Sequence, residues 1–191
     1  MSGDFLSLTS PGEIAAAREQ LEHLGHVGIE AAYVAEAADP AADEAHALTR
    51  SRRPMSRAPG EDVYNLPATL RQGWLADVIA RMQETAALLD RDISSPIDHT
   101  NLRALLLDTS PRTRGMWHRD QNADEAVVIT TLRGQSWLEF PNAAYMLEAG
   151  RVVVHDPDQE LPHRGVNDAG RQRTGLTVLR NLAPSHPRYK R

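Results

Sequence analysis

The stretch AVVITTLRGQSWLEF, residues 126–140, decides the fold of this chain. Two segments rich in β-branched and other apolar residues, 126–132 and 135–140, flank the dipeptide Arg133-Gly134. Short apolar runs on both sides of a turn signal are typical of two strands joined in a hairpin. The sequence therefore predicts antiparallel β-structure here.

The same alternation of apolar runs and turn signals extends over residues 96–182. One more strand is predicted earlier in the chain, near residue 28. The other strands are predicted near 101–108, 113–118, 151–155, 162–166 and 171–180. About eight short strands of this kind indicate a β-sandwich or a barrel.

Residues 1–95 are predicted to be mainly helical support and a lid. Ser10-Pro11-Gly12-Glu13 has the form of a helix-capping box, and Gly25 suits the end of that helix. A second helix is predicted from Pro67 to Leu89, where apolar residues repeat at helical spacing. Because two helices cannot bury their apolar faces without a sheet behind them, we expect one α+β domain over residues 1–191.

An arginine-rich segment lies in the first half of the chain. Arg50, Arg52, Arg53 and Arg57 stand among proline and glycine residues. We interpret the segment as a mobile surface loop. The alternative is a lid that meets an anionic substrate or carrier.

The composition excludes several classes of function. The chain is 41% hydrophobic and 25% charged, which is typical of a soluble globular domain. A net charge of −5 argues against a nucleic-acid partner, and the absence of cysteine excludes disulfides, thiolate metal sites and a cysteine nucleophile. The N-terminus does not resemble a signal peptide, and no apolar stretch approaches the ~20 residues of a membrane helix. We therefore expect a cytoplasmic protein without a membrane partner.

The sharpest local motif is GMWHRD, residues 115–120. Strand side chains alternate, so His118 and Asp120 would point to the same side. His163, 45 residues after His118, would supply a third metal ligand. Two histidines and one carboxylate on one face of a metal leave positions open, as in the facial triad of iron(II) oxygenases.

An arginine strand follows the second histidine. Arg173 lies 10 residues after His163. A dicarboxylate co-substrate requires a buried arginine near the metal, because the planar guanidinium can grip a carboxylate through two hydrogen bonds. Arg171 shares the predicted strand face, so either arginine could fill this role. Thr177 lies further along the same face, and Thr131 is expected to point inward beside the metal.

His118-x-Asp120, His163 and Arg173 together resemble the iron(II)/2-oxoglutarate-dependent oxygenase superfamily, over roughly residues 100–181. The resemblance implies a double-stranded β-helix, the jelly-roll or cupin-like core, buttressed by the N-terminal helices. It also implies that His118, Asp120 and His163 hold Fe(II). Arg173 would hold the C5 carboxylate of 2-oxoglutarate, which is converted to succinate and CO2.

The sequence departs from the family pattern at one position. Family members often carry Ser or Thr two residues after the arginine, whereas this chain has Gly175. We expect Thr177 to stand in for that hydroxyl, and we assign it this role together with Thr131. The presence of Asp120 favours hydroxylation or a related oxidation over halogenation. The expected substrate is a small molecule such as an amino acid or a natural-product intermediate, free or carrier-tethered.

Three alternatives remain open at this point. His155, at the end of the apolar run 151–155, competes with His163 for the third ligand position. Residues 163–167 also resemble part of a cupin motif, so a cupin-type isomerase, a 2-oxoglutarate-independent dioxygenase or a non-catalytic ligand binder is a second reading. A metal-free barrel is the third. The remaining histidines are expected at the surface or in loops: His23, His26, His46, His99 and His186.

Overall fold

The fold is described from a computed structural model, over residues 2–67, 70, 72–89, 103–119, 126–156, 159 and 161–179. The helices are α1 (Pro11–Leu24), α2 (Ala38–Thr49) and α3 (Trp74–Leu89), with a short 3-10 helix (Ala35–Ala37) before α2. The strands are β1 (Phe5–Leu6), β2 (His26–Ile29), β3 (Ser56–Ala58), β4 (Glu61–Asn65), β5 (Arg103–Thr109), β6 (Thr113–Arg114), β7 (Val127–Arg133), β8 (Ser136–Glu139), β9 (Ala144–Leu147), β10 (Val152–His155), β11 (Arg164–Asn167) and β12 (Arg173–Leu179).

The strands form two sheets. The larger has eight strands in the order β1-β2-β10-β7-β12-β5-β4-β3, and the smaller has four in the order β6-β11-β8-β9. The two strands predicted on either side of Arg133-Gly134 are present as β7 and β8. They lie in different sheets, so they do not pair as a hairpin. The chain therefore crosses from one sheet to the other at this turn.

Two hydrophobic cores lie on opposite faces of the larger sheet. In β7, Val128 belongs to the core beneath the helices, whereas Ile129 belongs to the core between the sheets. This follows from the alternation of side chains along a strand. The helices contribute Ala41, Ala45, Val78 and Met82 to the first core, and the smaller sheet contributes Leu138, Tyr145 and Leu147 to the second.

The ends of α1 agree with the prediction. The side chain of Ser10 accepts a hydrogen bond from the backbone N–H of Glu13 at 3.3 Å and donates one to the Glu13 carboxylate at 2.9 Å. Gly25 ends the helix with φ 74°, a left-handed conformation that costs glycine little, and its N–H bonds to the Leu21 carbonyl. The capping motif thus fixes where the chain enters β2.

Several predicted elements were wrong in extent or kind. Besides the two supporting helices that were predicted, α2 is present where Ala, Asp and Glu dominate around Asp39-Pro40, and α3 begins at Trp74 rather than at Pro67. The strand β9 was not predicted, and the arginine-rich segment contains β3, which pairs with β4. Among the described residues, no helix is long and apolar enough to cross a membrane.

Candidate metal centre

His118 and His163 face each other across neighbouring segments of the smaller sheet. Their backbones exchange two hydrogen bonds, from His118 N–H to the His163 carbonyl at 3.0 Å and back at 2.9 Å. The centroids of the two imidazole rings are 4.3 Å apart. The fold therefore brings together two of the residues that the sequence predicted as metal ligands.

Both imidazoles are oriented by backbone carbonyls. Nδ1 of His118 lies 3.1 Å from the Met116 carbonyl oxygen, and Nδ1 of His163 lies 3.4 Å from that of Leu161. A carbonyl oxygen only accepts, so each Nδ1 carries the proton and donates it. In the neutral form of each imidazole, Nε2 then keeps a lone pair, which is the state that a metal ligand needs.

The third predicted ligand, Asp120, lies outside the described residues. Within the described ranges, no group of three or more His, Cys, Asp or Glu side chains is arranged to hold a metal ion. The donors that are described nonetheless fit a first-row transition metal, because two oriented imidazoles are ligands that iron accepts. His118 is exposed and His163 is buried, so the pair stands at the boundary between the interior and the solvent.

His155 lies beside the pair. It is buried, and its ring centroid is 4.7 Å from that of His163. The ring of Phe140 is 5.7 Å from His163 and stacks on His26 at 4.2 Å. His155, the alternative third ligand, is therefore buried directly beside His163.

The prediction that His26 is a surface or loop residue was wrong. Its side chain is buried, with Nδ1 2.9 Å from the Tyr145 hydroxyl and Nε2 3.0 Å from Oδ1 of Asn142. Burial lowers the pKa of His26, and the positive charge of a protonated His155 would lower it further. His26 pairs in register with His155, so both side chains enter the space between the sheets.

Arg173 is buried in the interior, with 4% of its surface exposed, whereas Arg171 is exposed. Burial lowers the pKa of Arg173 to about 10, against the opposing effect of Glu61. Its Nε has no hydrogen-bond partner among the described residues. Burying a cation with an unsatisfied hydrogen-bond donor costs free energy, so the Arg173 guanidinium is suited to bind an anion.

Two glycines make room for this guanidinium. A Cβ atom on Gly165 would lie 3.2 Å from Nη1 of Arg173, and one on Gly175 would overlap Nη2. At position 175, where Ser or Thr is often found after the arginine in the oxygenases that the sequence resembles, a side chain would meet the guanidinium in its observed position. Gly165 follows His163 by two residues on β11, a step of about 7 Å along a strand. The guanidinium thus lies a short distance from the histidine pair.

Hydroxyl groups lie beside the same space. Thr131 is buried, and its Oγ1 is 2.8 Å from Oγ of Ser136 on the facing sheet. Thr131 pairs in register with Gly175, so the two residues are direct neighbours on β7 and β12. Thr177, two residues beyond Gly175, is partly exposed. Ser136 was not predicted, although its position in β8, two residues before the buried Leu138, was a possible signal.

Comparison with known proteins gives structural relatives only. No family model matches the sequence, and no curated protein is similar enough to count as a relative. A prolyl-4-hydroxylase from Pseudomonas putida is 16% identical with a TM-score of 0.66, over 89% of this chain and 100% of that one. A 2OG-Fe(II) oxygenase family oxidoreductase from Burkholderia pseudomallei is also 16% identical, with a TM-score of 0.60 over 93% and 95%.

A third structure contains the group that the sequence resemblance implies. The epimerase SnoN, in complex with Fe3+, alpha ketoglutarate and nogalamycin RO, is 13% identical with a TM-score of 0.70, over 90% of this chain and 84% of that one. These structures support the resemblance to the oxygenase superfamily. At such identities, the likeness establishes that this chain has the mixed α and β fold of those enzymes.

Proposed function

We propose that this chain is an Fe(II)- and 2-oxoglutarate-dependent oxygenase. The observation that carries the proposal is the buried guanidinium of Arg173, close to an oriented pair of histidines. A metal site alone would not need a buried cation nearby, because two positive groups repel each other. A dianionic co-substrate that reaches both the metal and Arg173 removes this conflict.

His118, Asp120 and His163 are the proposed ligands of Fe(II). The two imidazoles would offer Nε2, since their Nδ1 atoms donate to carbonyl oxygens. A bound iron would supply the activation of O2 at its open coordination positions. The contribution of the chain is to orient these ligands and to shield one side of the site with Phe140 and His155.

Arg173 is the proposed partner of the distal carboxylate of 2-oxoglutarate. The guanidinium can bind a carboxylate through two parallel hydrogen bonds. With Gly175 in place of a hydroxyl residue, we assign the supporting hydroxyl to Thr131, held by Ser136, with Thr177 nearer the open side. The step of about 7 Å between the positions of His163 and Gly165 suits a short dicarboxylate.

The proposed substrate is a small molecule such as an amino acid or a natural-product intermediate, free or carrier-tethered. The structural neighbours include a prolyl-4-hydroxylase and an epimerase crystallised with nogalamycin RO. Hydroxylation is the proposed reaction, because Asp120 supplies a carboxylate where halogenation would need room for chloride. We propose that the two sheets form a double-stranded β-helix and that residues 1–191 act as one domain.

A cupin-type metalloprotein is the second candidate. One observation favours it, which is the presence of His155 only 4.7 Å from the ring of His163. Such a protein would use an additional histidine and would have no use for 2-oxoglutarate. The two candidates therefore differ in their dependence on that compound.

The test of the proposal is the conversion of 2-oxoglutarate to succinate in the presence of Fe(II) and O2. Wild-type protein is expected to form succinate slowly even without its substrate. His118→Ala and Asp120→Ala are expected to abolish this turnover, and His23→Ala, on the exposed face of α1, is expected to retain it. Near-normal turnover in either ligand variant would refute the assignment.

A further inference from the structure

A row of three side chains crosses the outer face of the smaller sheet, opposite the histidine pair. The guanidinium of Arg164 lies 4.6 Å from the centroid of the Trp117 ring. Arg164 also pairs in register with Glu139, and its Nη2 is 2.6 Å from Oε2 of that residue. We call Trp117, Arg164 and Glu139 the outer row.

The outer row is connected to both histidines through the chain. Trp117 directly precedes His118, and Arg164 directly follows His163. Successive side chains of a strand point to opposite faces, so the imidazoles lie on one face and the outer row on the other. A contact that holds Trp117 against Arg164 therefore also constrains the position of His118 relative to His163.

The backbone of the segment that carries His118 is held by an isolated bridge rather than by a regular strand. β6 covers only Thr113–Arg114, and after it the bridge between His118 and His163 holds the segment to β11 together with the bond from Gly115 N–H to the Gly165 carbonyl. A segment held by an isolated bridge, outside any regular strand, opens more easily than a strand inside a sheet. A side-chain contact on the outer face therefore has a large influence on its position.

Trp117 also lies, along the chain, between Met116 and His118, whose carbonyl oxygen and ring Nδ1 form a hydrogen bond. The Met116 carbonyl accepts the Nδ1 proton of His118, so the orientation of the peptide from 116 to 118 determines the ring's tautomer. The Trp117 residue as a whole is 45% exposed, while the side chains of Arg164 and Glu139 are only 18% and 24% exposed. The cation is thus partly shielded from water, which strengthens its attraction to the indole ring.

We propose that Trp117, held by Arg164 and Glu139, is a positioning residue that keeps His118 in its ligating orientation. The identity of the metal in this proposal rests on the proposed function. The positioning itself concerns the imidazole and is measurable in metal-free protein. A cation–π contact of this kind corresponds to a change of about two- to fivefold in a binding constant.

The first experiment measures the dissociation constant of Fe(II), under anaerobic conditions, for Trp117→Leu, Arg164→Met and Trp117→Phe. Trp117→Leu and Arg164→Met are expected to weaken binding by about two- to fivefold, and the double variant by no more than the stronger single change. Trp117→Phe keeps an aromatic face and is expected to restore most of the affinity. Trp137→Leu is the matched control, since Trp137 lies on β8 opposite Val166, away from the histidines.

The second experiment measures the tautomer of His118 in metal-free protein by long-range proton–nitrogen NMR. Wild-type protein is expected to hold the proton on Nδ1, and Trp117→Leu is expected to give a mixture of tautomers, while Trp137→Leu does not. If wild-type protein binds no iron but this contrast appears, the proposed function fails and the positioning stands. Iron binding and tautomer both unchanged in Trp117→Leu would overturn the positioning and leave the proposed function intact.

Discussion

The glycine two residues after the buried arginine is the clearest departure from the family at the scale of single residues. We predict that Gly175→Ser, which restores the family's hydroxyl, weakens 2-oxoglutarate binding, because its Cβ would overlap Nη2 of Arg173. A displaced guanidinium would lose a charge-assisted hydrogen bond to the carboxylate, worth roughly 1.5–3 kcal/mol, so the affinity is expected to fall about tenfold or more. The measurement is a titration of the Fe(II) protein with 2-oxoglutarate.

Gly170→Ser is the matched control for this change. A Cβ on Gly170 meets nothing within 4 Å, so the same substitution is expected to leave the affinity unaltered. Equal or tighter binding by Gly175→Ser would mean that the guanidinium does not occupy the space between the two glycines.

Arg173 gives a second prediction at this scale. We expect Arg173→Met to lose 2-oxoglutarate binding while the free energy of unfolding of the metal-free protein stays equal or increases. The reason is that the variant removes a buried cation whose Nε has no hydrogen-bond partner among the described residues. Urea unfolding and the 2-oxoglutarate titration measure the two effects separately.

The exposed Arg171 provides the control, since Arg171→Met is expected to change neither quantity. A large loss of stability in Arg173→Met would indicate that the arginine is a structural residue rather than an anion site.

Single residues also mark the limit of what the sequence could predict. Strand alternation was enough to place Thr131 in the interior and to separate Trp117 from His118. It could not identify the buried His26, because the burial of that residue depends on its pairing with β10, more than a hundred residues away. Asp120 stays a prediction, since it lies outside the described residues.

At the scale of elements, the start of α3 depends on a residue from another helix. Oε1 of Glu44, on α2, accepts the N–H of Trp74 at 3.1 Å, and Oε2 accepts that of Leu75 at 2.9 Å. We predict that Glu44→Ala lowers the free energy of unfolding by about 1–2 kcal/mol, because two helix N–H groups lose an anionic acceptor. Urea unfolding is the measurement.

Glu84→Ala, on the exposed face of α3, serves as the control and is expected to change stability by less than about 0.5 kcal/mol. An intermediate loss is expected for Glu44→Gln, which keeps an acceptor without the charge. Equal stability of Glu44→Ala and wild type would exclude this capping role.

Elements were predictable where their own residues carry the signal. The strands β5, β7, β8, β10 and β12 have apolar runs of their own and were predicted close to their observed bounds. The segment that contains β3 was read as a loop and β4 was not predicted, because this hairpin is held at the sheet edge by the backbone pairing of β4 with β5. Such pairing depends on the partner strand and leaves little mark on the local sequence.

At the scale of the whole molecule, we expect the free energy of unfolding to depend on pH. The pKa of His26 is below its ordinary 6.5 because of burial, so the unfolded chain binds a proton more readily than the folded one. Stability from this group is complete above about pH 6.5 and is lost as the pH falls through that value toward the folded pKa.

We predict that His26→Gln reduces the difference in urea midpoint between about pH 7.5 and about pH 5.5, relative to wild type. His23→Gln, on the exposed surface of α1, is the control and is expected to keep the wild-type difference. An undiminished difference in His26→Gln would assign the pH dependence to other groups.

The architecture also brings together residues of the predicted site that lie far apart in the sequence. The helices cover one face of the larger sheet, and the opposite face packs against the smaller sheet. His163 lies beside the smaller sheet and Arg173 lies in the larger one, yet a step of two residues from His163 reaches Gly165, where a Cβ atom would lie 3.2 Å from Nη1 of Arg173. The motif spacing indicated these residues, while only the packing of the sheets brings them together.

The most direct test of the central claim is an anaerobic titration of metal-free protein with Fe(II), with and without 2-oxoglutarate, followed by visible absorption. We predict a metal-to-ligand charge-transfer band that needs both components, is lost in His163→Ala and persists in His155→Ala. Iron binding without such a band would contradict the oxygenase assignment and favour the cupin-type alternative. Absence of metal binding in wild-type protein would contradict both.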